Sequence, residues 1–360
     1  MIDVRFIGLL LVGLLGCGDT PDDAFVSEYF EIEPSDSEVL CRGLLEDMEA
    51  QFARVTDVLD LPLMSPVQIE YGQAAVDRDC SNITDNFDAG GCALGYLENT
   101  QISADYSSIY HEIVHGVRRA NGRRGPNFFE EGIAEVLSGF RPIPFEVDIR
   151  AEDIERGPAF LALLPQAEVV AYDYAIAGHF MSWLFAEFGD TTVAEFLNDD
   201  NFGTDVEAVF AGHFGMSLEA AETLWRTSSE VSYTWGNVCD PARDLAWDGS
   251  AIEFTGRVDC DAANTIGPSI LGTIRARSHC FTPEQAGSLR VEFMATSGAA
   301  EFRQQYCTGP GGPLSPEHYQ DKKVLAGETI NLPFSHCTWE AVIATELDAP
   351  IDFVLRLGQP

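Results

Sequence analysis

Between Ser37 and Leu59 apolar residues recur at helical spacing: Val39, Leu40, Leu44, Leu45, Met48, Phe52, Val55 and Leu59 share one face, and Pro62 and Pro66 end the pattern. Strand-like alternation flanks it, at Tyr29 to Glu33 and at Val67 to Tyr71. Residues 77–91 are polar and turn-rich, and strand character resumes from Cys92 to Ile102. The opening is therefore a mixed β-α-β arrangement, without the repeated alternation of a Rossmann sheet. Helices follow. Ser107 to Arg119 carries Ile109, Ile113, Val114 and Val117 on one face, and Asn121-Gly122 supplies the stop. The next runs from Phe128 to about Ser138. A third places Ala177, Phe180, Met181, Leu184, Phe185 and Phe188 in register, and a fourth begins near Ser217. After Cys239-Asp240-Pro241 the grammar changes. Short strands are predicted at 270–277, 289–294, 299–306, 328–332, 338–345 and 351–357, between Gly and Pro turns. That spacing predicts an all-β sandwich. The expected class is α+β, with a domain of a small mixed sheet plus helices over 28–235 and a Cys-rich β-sandwich domain over 239–360.

The N-terminus follows a different pattern. Phe6 to Leu15 is apolar but falls well short of the ~20 residues of a spanning helix, so residues 1–16 read as an export signal. Leu14-Leu15-Gly16-Cys17 resembles the lipobox of bacterial lipoproteins, in which the Cys is lipidated and becomes the new N-terminus. That resemblance implies attachment through Cys17 at an outer membrane or cell surface. Residues 17–27 would then be an acidic tether.

Charge narrows the partners. Lys plus Arg is 21 against 58 Asp plus Glu, a net charge of −37. A polyphosphate would be repelled, which excludes ordinary nucleic-acid binding. The one basic cluster is Arg118, Arg119, Arg123 and Arg124, which could attract an acidic substrate or an anion but is read as a solvated helix end. Of nine cysteines, eight remain if Cys17 takes lipid, an even number that suits an oxidising compartment. Cys80 with Cys92 is the nearest pairing, and Cys41 with Cys239 is the expected bond across the domain boundary.

The chemistry centres on His111-Glu112-Ile113-Val114-His115. On a helix, residues i and i+4 lie one turn apart on one face, so both imidazoles can reach a single metal ion. Glu112 is placed to touch a metal-bound water without being a ligand. A metzincin continuation fails, because Arg118 and Asn121 stand where Gly and His are required. Instead Glu130-Glu131-Gly132-Ile133-Ala134 follows, with Glu135 one turn beyond Glu131.

The pair H-E-x-x-H and E-G-x-A resembles the gluzincin metallopeptidases. That resemblance covers Tyr29 to about Glu230. It extends to Tyr174-Ala175-Ile176-Ala177-Gly178-His179-Phe180 and to Phe214-Gly215-Met216-Ser217-Leu218 leading to Trp225. It implies Zn2+ held by His111, His115 and Glu131, with Glu130 as the alternative third ligand. It further implies Glu112 as proton acceptor and Tyr174 as oxyanion donor, with Tyr172 its competitor. Gly90-Gly91-Cys92-Ala93 matches the edge strand along which an extended peptide would lie. His179 and His213 are secondary donor candidates, better read as structural. The expected activity is zinc-dependent hydrolysis of peptides or proteins, as an endopeptidase. The alternative is a non-catalytic surface lipoprotein that keeps zinc for stability.

Overall fold

The computed structural model describes residues 25–34, 40–80, 91–105, 108–138, 171–227, 244–247, 251–262, 265–267, 273–276, 280–283, 287–306, 322–334, 338–346 and 350–358. The class is α+β. The expected signal segment, Cys17 and the 228–243 boundary lie outside the described residues.

The first sheet has the order β1-β2-β3-β5-β4. Its strands are β1 (Phe25–Val26), β2 (Phe30–Pro34), β3 (Val67–Tyr71), β4 (Gly91–Leu94) and β5 (Gln101–Ala104). The last residues of the expected tether, Phe25 and Val26, thus pair with β2. β2, β3 and β5 run parallel, while β4 returns antiparallel beside β5 as the outer strand. Parallel neighbours need a crossover, and α1 (Arg42–Leu59) supplies the first one. Its buried stripe of Leu44, Met48, Phe52, Val55 and Leu59 packs on the sheet, with the Phe52 and Phe30 rings 5.4 Å apart. Asp60, in the left-handed region at φ 51°, closes the helix.

Two sequence expectations change between β3 and α3 (Ile109–Ala120). The turn-rich stretch starts as a helix, α2 (Gln73–Asp79), too short to show a period. The run from Cys92 to Ile102 is a hairpin rather than one strand. Gly95 turns at φ 71°, where a Cβ would lie 1.9 Å from the Asn99 carbonyl oxygen, and Cys92 faces Ser103 across the ladder. The Cys80–Cys92 disulfide forms as expected and ties α2 to the outer strand.

α3 lies on this sheet, and α4 (Asn127–Leu137), α5 (Ala171–Phe188), α6 (Asp190–Leu197), α7 (Val206–Phe214) and α8 (Leu218–Thr227) continue the same hydrophobic core beyond it. α6 and α7 escape the periodicity reading because they are only eight and nine residues long, about two turns each. Tertiary contact holds them: Phe196 of α6 packs edge-on against Phe129, Phe202 and Phe210. Gly132 permits α4 to meet α5, since a Cβ there would come within 2.7 Å of the Ala177 carbonyl oxygen.

Residues from 244 onward form two sheets. One has the path β13-β12-β15-β10-β6, with β9 on β15 and β8 on β9; the other is β14-β11-β16-β7. The strands are β6 (Asp244–Trp247), β7 (Ile252–Val258), β8 (Thr265–Ile266), β9 (Thr273–Ala276), β10 (Cys280–Pro283) and β11 (Gly287–Ala295). After them come β12 (Ala299–Tyr306), β13 (Lys322–Leu325), β14 (Thr329–Phe334), β15 (Thr338–Glu346) and β16 (Ile351–Gly358). Phe254, Val291, Phe293 and Leu355 of the smaller sheet share one core with Phe281, Phe302, Trp339 and Ile343 of the larger. Alternation drives this burial, most plainly in β16, where Ile351, Phe353, Leu355 and Leu357 point inward.

The bond between the two cores corrects the expected pairing. Cys41 joins Cys260, not Cys239, with a Cα separation of 4.4 Å. The chain just after β7 lies against the start of α1, where Cys41 N–H donates to the Gly267 carbonyl and Arg42 N–H to that of Cys260. No helix among the described residues is long and apolar enough to cross a membrane.

Candidate metal centre

α3 starts directly after β5, and its buried stripe of Ile109, Ile113, Val114 and Val117 fixes the helix rotation. The opposite side then carries His111 and His115 one turn apart, with ring centroids 4.8 Å apart. α4 crosses beside it and brings Glu131 to the pair. Glu131 Oε2 lies 3.0 Å from His111 Nε2 and 3.2 Å from His115 Nε2, and the two imidazole nitrogens are 3.1 Å apart. Tetrahedral ligand atoms around zinc stand roughly 3.3 Å from one another, given bonds of about 2.0–2.1 Å. The three donors are therefore spaced to hold one metal ion with little rearrangement. Their side chains are 15%, 12% and 19% exposed, so a ligand can reach them from solvent.

Glu130 is not part of this group. Its carboxylate accepts from Arg118 Nε and Nη2, each at 2.8 Å, and from the Gly125 N–H at 2.6 Å. The adjacent residue points around the helix, away from the imidazoles. Burial would raise the Glu130 pKa, but the Arg118 guanidinium outweighs it and holds the carboxyl below its usual range. This overturns the reading of Arg118 as a solvated helix end, since its side chain is fully buried. A sequence signal existed: Arg118 follows Val114 by four residues, in line with the apolar stripe.

A second carboxylate backs the first imidazole. Glu135 Oε1 lies 3.2 Å from His111 Nδ1, and Glu135 is 2% exposed. It accepts the Nδ1 proton and leaves Nε2 directed at Glu131, which is how outer carboxylates orient metal-binding histidines. Burial would raise the Glu131 pKa, but His115 and His111 hold it well below the carboxylate range.

Glu112 is buried beside the group yet is not one of the three converging donors. Burial pushes its carboxyl up, and the charges of His115 and His111 pull it down by less. The outer strand touches it: a Cβ on Gly91 would come within 2.9 Å of Glu112 Cγ and 2.5 Å of Ser108 Oγ. A side chain there would displace the carboxylate.

Tyr174, on α5, hydrogen-bonds Glu131, and its ring lies 5.9 Å from that of His111. Burial and then the Glu131 charge raise its pKa, so the hydroxyl stays protonated and can donate. The side chain of Tyr172 lies outside the described residues. The remaining histidines are elsewhere. His179 Nδ1 accepts from Trp225 Nε1 at 2.8 Å, deep in the helical core, and His213 contacts Asp199 at 3.3 Å.

No family model and no curated protein matches this chain. Two of the solved structures that overlap parts of it show the extent of the likeness. A de novo designed double-stranded β-helix, solved by NMR, covers 24% of this chain and 94% of its own, at 22% identity and a TM-score of 0.12. A crystal structure of FeII HppE covers 50% of this chain and 89% of its own, at 12% identity and a TM-score of 0.14. Values of this size carry neither fold nor function across to this chain.

Proposed function

We propose that this protein is a zinc-dependent metallopeptidase that cleaves internal peptide bonds, exported and lipid-anchored through Cys17 at the outer membrane or cell surface. Its catalytic unit would be the gluzincin-like domain over 28–235, and the β-sandwich over 239–360 an accessory domain. One observation carries the reading: His111, His115 and Glu131 converge from two helices while another acid, Glu112, is buried beside them and is not one of the three converging donors. A purely structural metal site has no use for that carboxylate.

His111, His115 and Glu131 would hold the ion, which supplies a Lewis acid for water and for a substrate carbonyl. Glu112 takes a proton from the attacking water and returns it to the leaving amine, and its raised pKa suits both transfers. The Tyr174 hydroxyl donates to the oxygen that gains charge at the attacked carbonyl. Glu135 keeps His111 in the tautomer that presents Nε2 inward. Gly91, at the outer strand, leaves room for extended peptide backbone next to Glu112.

The test is metal content and peptide cleavage measured on the same purified mature chain. About one zinc per chain and hydrolysis abolished by chelator are expected, with Glu112→Gln keeping the metal but losing about 10²–10⁴-fold in rate. Zinc retained with no cleavage across a broad peptide library would leave the non-catalytic binding lipoprotein as the answer. Cleavage by Glu112→Gln at the wild-type rate would remove Glu112 from the mechanism.

A further inference from the structure

Helical spacing continues past the two histidines. Arg119 follows His115 by four residues and His111 by eight, so it occupies the same face of α3, one turn farther along. It is half-buried and lies within electrostatic reach of Glu112, Glu130 and Glu131. Arg124, just beyond the helix, is close enough for the two positive charges to repel.

In a chain with 58 acids and 21 bases, many of the described guanidinium groups find a carboxylate. Arg42 reaches Glu46, Arg78 reaches Glu70, Arg118 reaches Glu130, Arg123 reaches Asp200, Arg226 reaches Glu222 and Arg356 reaches Glu253. Arg119 and Arg124 reach none among the described residues. Half-burying an arginine without a partner is unfavourable, and a second cation beside it adds to the cost. Arg119, half-buried at the end of the row that carries the metal donors and with no ion-pair partner among the described residues, leaves a place for an anion from outside, and the exposed Arg124 just beyond the helix adds positive charge there. Arg119 offers the planar fork that binds a carboxylate through two hydrogen bonds.

We propose that Arg119, supported by the charge of Arg124, is a specificity-determining residue that binds a carboxylate of the peptide substrate beside the metal centre. This rests on the peptidase reading for the nature of the substrate, though the binding site itself does not need turnover. The carboxylate comes either from an acidic side chain near the scissile bond or from the free C-terminus of a short peptide. The two sources share one chemistry and separate cleanly in the test.

Binding is measured by calorimetry on the full mature chain carrying Glu112→Gln and loaded with zinc. The probes are octapeptides scanned with Glu or its isostere Gln at each position, each with a free or an amidated C-terminus. At least tenfold tighter binding of one Glu peptide over its Gln partner is expected, or the same gain for the free C-terminus over the amide, naming the source. Adding Arg119→Gln should bring that ratio to about one, and Arg119→Lys should restore part of it. Zinc content and melting temperature of each variant establish that the site is intact. Affinities within twofold across all pairs, or a preference that survives Arg119→Gln, would overturn the proposal. Hydrolysis of the same panel by the wild-type chain is read separately, so failure of the peptidase reading shows there and not in the binding ratios.

Discussion

The Glu112 carboxyl sits in a site that disfavours its charged form, because burial outweighs the neighbouring imidazoles. In the proposed mechanism Glu112 accepts a proton only when ionised, so a rate of hydrolysis that depends on it should climb as Glu112 loses its proton. The acidic limb of kcat against pH is expected above 4.5, the ordinary value of a glutamate. A limb at or below that value would point to another group. His111 behaves oppositely. Burial would lower its pKa, but the hydrogen bonds it donates to Glu131 and Glu135 lift it to about 10 in the metal-free protein. Its charged contacts therefore stabilise that state fully below 6.5, and the contribution is lost as pH rises through about 10. Metal must displace the proton, so affinity should tighten about tenfold per pH unit across the neutral range. Competition with a chromophoric chelator at several pH values measures that slope, and a flat profile would show that His111 binds metal without giving up a proton.

Helix α4 has to present Glu131 to α3 at a fixed height, and the buried Arg118–Glu130 pair clamps the two together one residue away from the ligand. Removing one partner of a buried pair leaves an uncompensated charge. Arg118→Met should cost about 3–5 kcal/mol in denaturant unfolding of the metal-free chain, and adding Glu130→Met should recover most of it. Equal losses in the single and double variants would show that packing, not charge, sets the cost. The clamp also accounts for the choice between adjacent acids. Around a helix, Glu130 and Glu131 diverge by about 100°. Once Arg118 and the Gly125 N–H engage the first, only the second remains for the histidines.

Over the whole chain, two cores are stitched by Cys41–Cys260, which spans 219 residues of sequence. On a chain-entropy account a closure of that length is worth about 5 kcal/mol. Cys41→Ser should lower the unfolding free energy by up to that amount. If the cores then separate, it should also split one transition into two in calorimetry. A single unshifted transition would mean that the backbone bonds at Gly267 and Cys260 suffice to hold them together.

The sequence alone determined what depends on local period and spacing. The i, i+4 histidines, the stripe of α1, the strand at Val67–Tyr71 and the alternation of β16 each follow from residues within a turn or two of one another. It also presented Glu131 and Glu135 together, because they are a turn apart. Only the tertiary structure decided what depends on which distant segments meet. It set Glu131 over Glu130, buried Arg118, brought Gly91 against Glu112 and chose Cys260 for Cys41. It also stabilised α2, α6 and α7, helices too short to declare themselves by pattern. The reason is physical: periodicity encodes which face of an element seeks burial, but not which element arrives to cover it.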